Sequence, residues 1–298
     1  MFGSDRLLGR SRRTYGAHAV VTGAGSGIGR AFALEIAARG GHVLCADIDA
    51  ERADETVALI ERTRPGVAHT FHCDVARHED LKLLAHATEA LFELPVDLVI
   101  NNAGVGVGGT PVGHIGFDNW QWTLDINLRG VVHGCEVFTP RLRAAGRGGI
   151  INVSSAAGFA AAPSMAAYNV SKAGVLALSE TMAAELSGTG VVVTVVCPTF
   201  VQTNVARDGR ITEESAQLAD FLMRWIGSSP ARIARTALDS HDRGQLYALP
   251  QLDAQLVWLL KRHFPARYTY ALGLLKKLLP HADSSTTGNT SAATRTGS

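Results

Sequence analysis

The chain alternates short apolar runs with longer segments in which apolar residues recur every three or four positions. The short runs are typical of buried strands, and the longer spacing is typical of amphipathic helices. The predicted strands lie near residues 18–22, 42–47, 69–73, 96–100, 149–154, 191–197 and 245–249. The predicted helices lie near residues 28–39, 51–63, 78–92, 117–144, 166–187 and 211–226. This alternation predicts an α/β fold, in which helices cover both faces of a doubly wound parallel sheet of about seven strands.

A glycine-rich segment follows the first predicted strand. The strand His18-Ala-Val-Val-Thr22 leads into Gly23-Ala-Gly-Ser-Gly-Ile-Gly29, and a helical pattern begins directly after it. Free N–H groups and the dipole at a helix N-terminus attract phosphate, and glycine lets the phosphate come close to the backbone. A glycine-rich turn alone is weak evidence. With a strand before it and a helix after it, the segment strongly indicates a dinucleotide site in a Rossmann-type fold.

Asp47 ends the second predicted strand, eighteen residues beyond Gly29. A carboxylate at this position suits the two ribose hydroxyls of NAD and repels the 2′-phosphate of NADP. The alternative is a cap for the following helix, where Asp49 and Glu51 also lie. Arg30 would favour NADP if it faced the ribose, but a solvated helix position explains it better. We therefore predict NAD as the cofactor, with NADP less favoured.

The segment Tyr168-Asn-Val-Ser-Lys172 carries the candidate chemistry, with Ser155 thirteen residues upstream. Residues four apart on a helix share a face, so the Tyr168 phenol and the Lys172 ammonium would point the same way. An ammonium beside a phenol favours the phenolate and lowers the pKa of the tyrosine. Such a phenol can exchange a proton with an alcohol or ketone, and the Ser155 hydroxyl could bond the same oxygen. Taken alone, these three residues are common; the glycine-rich segment gives them weight.

With these residues in place, the chain resembles the short-chain dehydrogenase/reductase family over about residues 16–250. The glycine motif, the acid in Cys73-Asp-Val, the segment Asn101-Asn-Ala-Gly104 and Asn127 all match the family's order. The resemblance implies four catalytic residues, which are Ser155, Tyr168, Lys172 and Asn127. It implies cofactor-binding residues, which are Gly23, Ser26, Gly27, Ile28, Gly29, Asp47, Asp74, Val75, Asn101, Asn102, Ala103, Gly104, Tyr168, Lys172, Val201 and Thr203.

The resemblance also implies a mechanism. In the oxidative direction Tyr168 would take the hydroxyl proton while hydride passes to the nicotinamide, and Ser155 would steady the carbonyl oxygen. Asn127 would hold a water that relays protons from Lys172. One departure stands out: Thr199 follows Pro198 where the family usually has glycine. Its side chain adds bulk near the nicotinamide, which concerns the fit of the substrate more than binding of the cofactor.

Composition narrows the classes of function. The net charge of +1 gives no basic footprint for nucleic acid, so we predict no nucleic-acid partner. The four cysteines are isolated and lack zinc-ligand spacing, so we predict no metal and expect reduced thiols in a cytoplasmic protein. No apolar run approaches the length of a membrane span, and residues 1–13 lack the apolar centre of a signal peptide.

The two ends of the chain differ from the predicted catalytic domain, which covers residues 16–250. Residues 1–15 are predicted to be a flexible lead-in, and residues 281–298, rich in Ser, Thr, Gly and Ala, a disordered tail. Residues 251–280 are predicted to be an amphipathic helical extension. We favour packing of this extension on the domain or on a second subunit. The alternative is weak contact with a membrane surface, because apolar, aromatic and basic residues mix there.

The substrate is predicted from the segments that flank the site. Residues 156–165 are small and apolar, and residues 211–225 place Leu218, Phe221, Leu222 and Trp225 at helical spacing, as a lid or as an ordinary packed helix. We therefore expect an NAD-dependent oxidoreductase for a hydrophobic secondary alcohol or its ketone. The family resemblance implies that it works as a homodimer or homotetramer. The alternatives are an NADPH-dependent ketoreductase of acyl or polyketide-type intermediates and, more distantly, a catalytically idle dinucleotide-binding scaffold or sensor.

Overall fold

The computed structural model describes residues 12–92, 94–203 and 209–278. The predicted tail and residues 1–11 of the predicted lead-in lie outside these ranges. The strands are β1 (His18–Thr22), β2 (His42–Asp47), β3 (Ala68–His72), β4 (Leu98–Asn101), β5 (Val107–Gly108), β6 (Gly148–Val153), β7 (Val191–Val196), β8 (Arg210–Ile211) and β9 (Tyr247–Ala248). Seven of them form one parallel sheet in the order β3-β2-β1-β4-β6-β7-β9. All seven predicted strands are present, and their ends differ by at most two residues.

Helices cover both faces of the sheet, as predicted. They are α1 (Gly27–Ala38), α2 (Ala50–Glu61), α3 (His78–Leu91), α4 (Phe117–Leu124), α5 (Gly130–Ala145), α6 (Ala157–Ala160), α7 (Ala166–Glu185), α8 (Glu213–Ile226), α9 (Pro230–Asp242), α10 (Leu252–His263) and α11 (Pro265–Leu278). The single helical pattern predicted over residues 117–144 is two α-helices joined by a π-helical turn, Asp125–Arg129. Such wide turns often lie at functional positions.

The sheet places its crevice at the centre. From β1 the chain moves outward through β2 and β3, and β4 then returns to the other side of β1. The connections that follow these two central strands therefore leave in opposite directions. In parallel sheets a ligand binds at this point, outside the carboxyl ends of the strands.

Two apolar clusters hold the helices on the sheet. On one face, Phe32 and Ile36 of α1 pack with Ile233 and Leu238 of α9. The second cluster holds α3, α5 and α7 on the opposite side of the same strands. Sequence patterns missed α9, although Ser229 accepts from the N–H of Arg232 as its N-cap and Pro230 begins the helix. A serine followed by proline is a usual helix start, so this signal was available.

The described start of the predicted lead-in is anchored in the fold. Thr14 is buried. Its backbone N–H and its hydroxyl both donate to the Asp242 carboxylate, and each hydrogen bond is 2.9 Å long. The Arg39 guanidinium also contacts Asp242 and Asp239. These contacts join the first described residues to α1 and α9. Thr14 is therefore fixed to the packed structure.

The predicted C-terminal extension forms α10 and α11. Ala254 of α10 is buried, and the Trp258 ring lies edge-on to Phe159 and tilted against Tyr247. Helix α11 packs against α10. None of the helices in the described ranges is long and apolar enough to cross a membrane.

His241 of α9 provides a test of this packing. Thr194 donates its hydroxyl proton to the Gln245 carbonyl, so it accepts from Nδ1 of His241, 3.0 Å away. Nε2 of the same ring is buried and has no hydrogen-bond partner among the described residues. Burial, reinforced by the charge of Arg13, lowers the pKa of His241 from 6.5 to about 3. The ring is therefore neutral in the folded protein at every pH above that value.

We expect His241 to make the protein sensitive to acid. Below pH 6.5 the unfolded chain takes up a proton that the folded chain refuses, so stability falls as the pH drops towards 3. Between neutral pH and about pH 5, the wild type should lose about 2 kcal/mol more unfolding free energy than His241→Gln. Urea unfolding at the two pH values measures this difference. Parallel losses in both proteins would contradict it.

Candidate active site

The glycine-rich segment forms a tight turn between β1 and α1. Gly23 and Gly27 have φ angles of +66° and +53°, which side-chain-bearing residues rarely adopt. A Cβ at Gly29 would collide with the Gly23 carbonyl oxygen and with the amide nitrogen of Asn102. The turn is therefore packed closely enough to exclude side chains, and it leaves the N-terminus of α1 open to the crevice.

The segment after β4 is tied to this turn by hydrogen bonds. The Thr22 hydroxyl accepts the backbone N–H groups of Asn102 and Ala103, at 3.0 and 3.2 Å. In return, the Asn102 amide donates to the carbonyls of Thr22 and Gly23. The two central strands thus end in one rigid edge. Asn102, Ala103 and Gly104 line the crevice along it.

Asp47 lies at the end of β2, beside the glycine turn. Its carboxylate accepts the N–H of Gly25 at 2.7 Å and that of Asp49 at 3.0 Å. Asp49 itself caps α2 by accepting from Arg52, so the capping alternative applies to Asp49 and Asp47 faces the crevice. Arg30 donates to Thr56 and pairs with Glu55 at 2.8 Å, and it does not line the crevice.

The remaining predicted cofactor residues lie on two further walls. Asp74 and Val75 follow β3, where the Asp74 carboxylate accepts the N–H of Ala76 at 3.0 Å. Val201 is buried after β7, and Thr203 approaches Gly27 across the crevice. Each of these predicted residues lines the same cavity.

Ser155 and Tyr168 meet between β6 and α7. The Ser155 hydroxyl lies 3.3 Å from the Pro198 carbonyl and 3.1 Å from the N–H of Ala157. Burial raises the pKa of Tyr168, and a hydrogen bond with Ser155 lowers it in part. The sequence predicted a lowered pKa, so the direction differs. Desolvation of the phenolate outweighs the single hydrogen bond.

Lys172 lies one helical turn after Tyr168, as predicted, and its side chain is buried. Its amino group donates to the Val153 carbonyl at 2.9 Å and lies 5.9 Å from the centre of the Tyr168 ring. Burial lowers the pKa of Lys172 to about 8, opposed by Cys197. The amino group therefore lies over the tyrosine ring while it bonds the backbone of β6. Burial and the Ser155 hydrogen bond are the causes that act on the pKa of the phenol.

Asn127 lies in the π-helical turn and is fully buried. Its carbonyl oxygen accepts the N–H of Val105 at 2.7 Å, and its amide donates to the Val105 carbonyl at 2.9 Å. A weaker contact joins it to Ser171 on α7. Both ends of the side chain therefore hold the backbone beside Gly104. Asn127 supports the crevice wall from behind.

One cavity of about 650 Å³ unites most of the predicted residues. Those that line it are Gly23, Ser26, Gly27, Ile28, Asp47, Asp74, Val75, Asn102, Ala103, Gly104, Ser155, Tyr168, Lys172, Val201 and Thr203. Gly29, Asn101 and Asn127 do not line it. Asn101 is buried in the core, where its amide donates to Asn152 at 2.9 Å. The size falls in the usual range for sites that bind small molecules and cofactors.

Beyond Tyr168 the cavity wall is mainly apolar. Four segments of the chain contribute to this part of the wall. Its apolar residues include Ala162, Met165, Phe200, Ile211, Ala219, Met223 and Val257. Most of the predicted stripe on α8 faces away from the cavity, since Leu218, Phe221 and Trp225 are exposed and Leu222 is half-buried. Helix α8 does border the site, but through Ala219 and Met223.

Gln251 is a supporting residue that sequence reasoning missed. Its side chain is buried at the start of α10, where its carbonyl accepts the N–H of Thr199 at 2.9 Å and its amide donates to the Phe200 carbonyl at 2.8 Å. The Thr199 hydroxyl oxygen is buried without a hydrogen-bond partner among the described residues. Gln251, at the start of the C-terminal extension, therefore holds the backbone at Thr199, the residue that departs from the family pattern. No spacing signal links residues so far apart in sequence.

The fold and the crevice define a dinucleotide-binding oxidoreductase class, and comparison identifies the family. Residues 17–214 match the short chain dehydrogenase family model. The chain belongs to the short chain dehydrogenase family.

Two similar proteins come from Mycobacterium tuberculosis. The oxidoreductase EphD is 40% identical over 204 residues, which covers 66% of this chain and 33% of EphD. The chain thus matches about a third of the length of EphD. The oxidoreductase SadH is 34% identical over 256 residues, covering 84% of this chain and 91% of SadH.

Solved structures agree with the family. A short chain dehydrogenase/reductase from Burkholderia phymatum, in complex with NAD, is 29% identical with a TM-score of 0.78, covering 84% of this chain and 94% of that one. A short-chain dehydrogenase from Sphingobium yanoikuyae, in complex with NADPH, is 25% identical with a TM-score of 0.70, covering 94% and 100%. Both of these structures hold a nicotinamide dinucleotide.

Proposed function

We propose that the protein is an NAD-dependent oxidoreductase that interconverts a hydrophobic secondary alcohol and its ketone, with Tyr168 as the general acid/base. One observation carries the proposal. A single cavity joins the glycine turn and Asp47 at one end to Ser155, Tyr168 and Lys172 at the other. A dinucleotide laid along this edge has its pyrophosphate at α1 and its reactive ring beside the tyrosine.

The residues present fit a dinucleotide. The turn excludes side chains where a pyrophosphate needs the backbone, since a Cβ at Gly29 has no room. At the far end, the unpartnered buried hydroxyl of Thr199 offers a hydrogen bond to a polar group in the cavity. Bound nicotinamide supplies the hydride chemistry. The protein supplies position and a proton.

Each side chain at the reacting end has a defined task in this proposal. The Tyr168 hydroxyl gives its proton to the ketone oxygen or takes it back from the alcohol. Ser155, already bonded to that hydroxyl, holds the same oxygen. Lys172 places a positive charge behind the phenol, and Asn127 acts as a positioning residue through Val105 and the backbone of the cavity wall.

The apolar end of the cavity favours a substrate without charge. Met165, Phe200 and Met223 give it a flexible apolar lining that suits a hydrocarbon ring or chain. Asp253 is the acidic residue at this end, and it disfavours a carboxylate or phosphate on the substrate. The ketoreductase alternative for acyl intermediates keeps the same machinery with NADPH. The four buried free cysteines are compatible with a reducing compartment such as the cytoplasm.

Titration with NADH and NADPH, followed by fluorescence, tests the cofactor. We expect the wild type to bind NADH at least about tenfold more tightly than NADPH. A repulsion of about 1.4 kcal/mol between Asp47 and the 2′-phosphate of NADPH is enough to give this ratio. Asp47→Ala should remove most of this preference. Asp49→Ala is the matched control, since Asp49 is a neighbouring acid that caps α2.

The outcomes separate the alternatives. A wild type that prefers NADPH would support the ketoreductase and overturn the role of Asp47. Binding of neither cofactor would support an idle fold. Tight NADH binding, without turnover of any apolar secondary alcohol or ketone in a broad panel, would support a sensor or scaffold.

A further inference from the structure

Gln251 approaches the reacting end of the cavity from a part of the chain that the family model does not match. The model covers residues 17–214, and Gln251 lies directly before α10, at the start of the C-terminal extension. Its side chain does not cap its own helix. Instead, the buried amide bonds the backbone of Thr199 and Phe200. A buried amide that gives both of its polar groups to another segment serves that segment.

One peptide bond connects Gln251 to Ser155. The N–H of Thr199 donates to the Gln251 side chain at 2.9 Å. The carbonyl of the same peptide, that of Pro198, accepts the Ser155 hydroxyl at 3.3 Å and the N–H of Ala156 at 2.8 Å. Because a peptide bond is planar, the direction of its N–H also sets the direction of its carbonyl. Gln251 therefore helps to orient the carbonyl that faces Ser155.

The Ser155 hydroxyl has a single hydrogen and more than one acceptor for it. It accepts the N–H of Ala157, so its hydrogen is left for the Pro198 carbonyl or for an oxygen on the cavity side, where Tyr168 lies. The bond of 3.3 Å to Pro198 is longer than the usual length of an O–H···O bond and is therefore weak. A hydroxyl held in this way is oriented and still free to turn to a substrate oxygen.

The position of the Pro198 carbonyl therefore bears on the task of Ser155. A carbonyl that moved closer would keep the hydroxyl hydrogen away from the substrate. A carbonyl that moved away would leave the hydroxyl without orientation. Thr199 contributes to the same restraint, because its Cβ restricts rotations of the backbone that glycine would allow.

Helix α10 also contacts the segment that follows Ser155. The Trp258 ring lies edge-on to Phe159 of α6, with 5.0 Å between the ring centres. The start of the C-terminal extension thus packs on both segments that meet at Ser155, one after β6 and one after β7. Gln251 is the contact that reaches the backbone beside the hydroxyl.

The cofactor side of the same segment has a support of its own. The N–H of Ser228 donates to the Phe200 carbonyl at 3.0 Å, and the Ser228 carbonyl accepts the N–H of Gln202 at 3.2 Å. Val201 forms a β-bridge with Ser228 between these two bonds. Loss of the Gln251 side chain therefore leaves the cofactor wall anchored and removes the restraint on the Pro198–Thr199 peptide.

We propose that Gln251 is a positioning residue for the reaction. It holds the Pro198–Thr199 peptide in the orientation that keeps the Ser155 hydroxyl available to the substrate oxygen. Gln251 does not line the cavity, so it acts through this peptide and not by contact with substrate or cofactor. The inference rests on the proposed function, which gives Ser155 its task, and it extends the reacting site into the C-terminal extension.

Gln251→Leu tests the proposal on the full chain, because leucine fills similar space and bonds neither backbone group. With 2-octanone and NADH as probes, kcat should fall at least about tenfold, as expected when a reacting group is misplaced. The Kd for NADH should stay within about twofold of the wild type, as for a change away from the cofactor. Gln255→Leu is the matched control: Gln255 lies on α10 and donates to the Leu249 carbonyl at 2.9 Å. This control should keep kcat within about twofold.

The same substitution in a Ser155→Ala background separates positioning from general packing. Once the Ser155 hydroxyl is absent, Gln251 has no group to position, so Gln251→Leu should lower kcat there by less than about twofold. An equal loss of kcat in both backgrounds would overturn the proposal. So would loss of NADH binding in Gln251→Leu, because Gln251 would then act on the cofactor wall.

Crystal structures of the wild type, Gln251→Leu and Gln255→Leu give a readout that needs no turnover. The distance from the Pro198 carbonyl oxygen to the Ser155 hydroxyl should change by more than about 0.5 Å in Gln251→Leu alone, which is the tolerance of a reacting geometry. An unchanged Ser155 would overturn the proposal whatever the kinetics show. If the wild type reduced neither 2-octanone nor any other ketone, the proposed function would fail, and this comparison would still decide the role of Gln251.

Discussion

Tyr168→Phe should bind NADH as tightly as the wild type and turn over roughly 10²- to 10⁴-fold more slowly, the usual range for loss of a general acid/base. The substitution removes one hydroxyl and keeps the ring, so the cavity wall is preserved. The affected quantity is kcat, because the proton is transferred in the reaction and not on binding. Steady-state kinetics together with NADH titration measure the two effects separately.

Tyr247→Phe is the matched control for this substitution. The Tyr247 hydroxyl also has a partner, donating to Glu180 at 2.7 Å, but it lies outside the cavity. Its loss should leave kcat within about twofold, as expected for a surface change away from the site. Near-normal turnover by Tyr168→Phe would remove Tyr168 from the mechanism.

The pH dependence follows from the same residue. Burial raises the pKa of Tyr168 above its ordinary value of 10, so the phenol keeps its proton at neutral pH. A protonated phenol can donate to a ketone but cannot accept from an alcohol. Ketone reduction should therefore be favoured near neutrality, and alcohol oxidation should rise as the pH increases into the alkaline range. Oxidation that falls over this range would contradict the assignment.

Gly29→Ala should weaken NADH binding by roughly 100-fold and lower the unfolding free energy by about 2–3 kcal/mol. The added Cβ has no free space, because the Gly23 carbonyl and the Asn102 amide already occupy it. Relief requires the glycine turn to move away from α1. The backbone that would contact the pyrophosphate then leaves its position. Fluorescence titration and urea unfolding measure the two losses.

Gly273→Ala controls for the general effect of alanine at a helical glycine. Gly273 lies in α11, and a Cβ there would meet no atom of the described residues within 4 Å. Alanine favours helix over glycine, so this variant should keep NADH binding and gain slightly in stability. If Gly29→Ala bound NADH as well as Gly273→Ala does, the close packing of the turn would be irrelevant to the cofactor.

The strands and the order of the site residues could be predicted because their causes are local. A strand buried on both faces reads as an apolar run, which is why β1, β6 and β7 were found nearly to the residue. Tyr168 and Lys172 share a face because four residues make one helical turn. The family resemblance supplied the other site residues in their order along the chain.

The parts that were not predicted depend on contacts between distant segments. The stripe of Leu218, Phe221 and Trp225 predicted an amphipathic helix but not the direction in which it faces. The direction of the Tyr168 pKa depends on how deeply the ring is enclosed, which spacing along a helix does not reveal. The expected lowering of this pKa by Lys172 was therefore wrong in this structure, because burial raises the pKa of Tyr168 and only Ser155 opposes it.

The sequence by itself determined the fold class, the dinucleotide turn and the family, because each is written in short-range patterns of apolar spacing and glycine. Only the tertiary structure decided which side chains reach the cavity. It placed Asn101 in the core and Asn127 behind the wall, and it brought Gln251 to the backbone of Thr199. Burial and hydrogen bonding depend on contacts between elements that are distant in sequence, and the local spacing of residues does not predict those contacts.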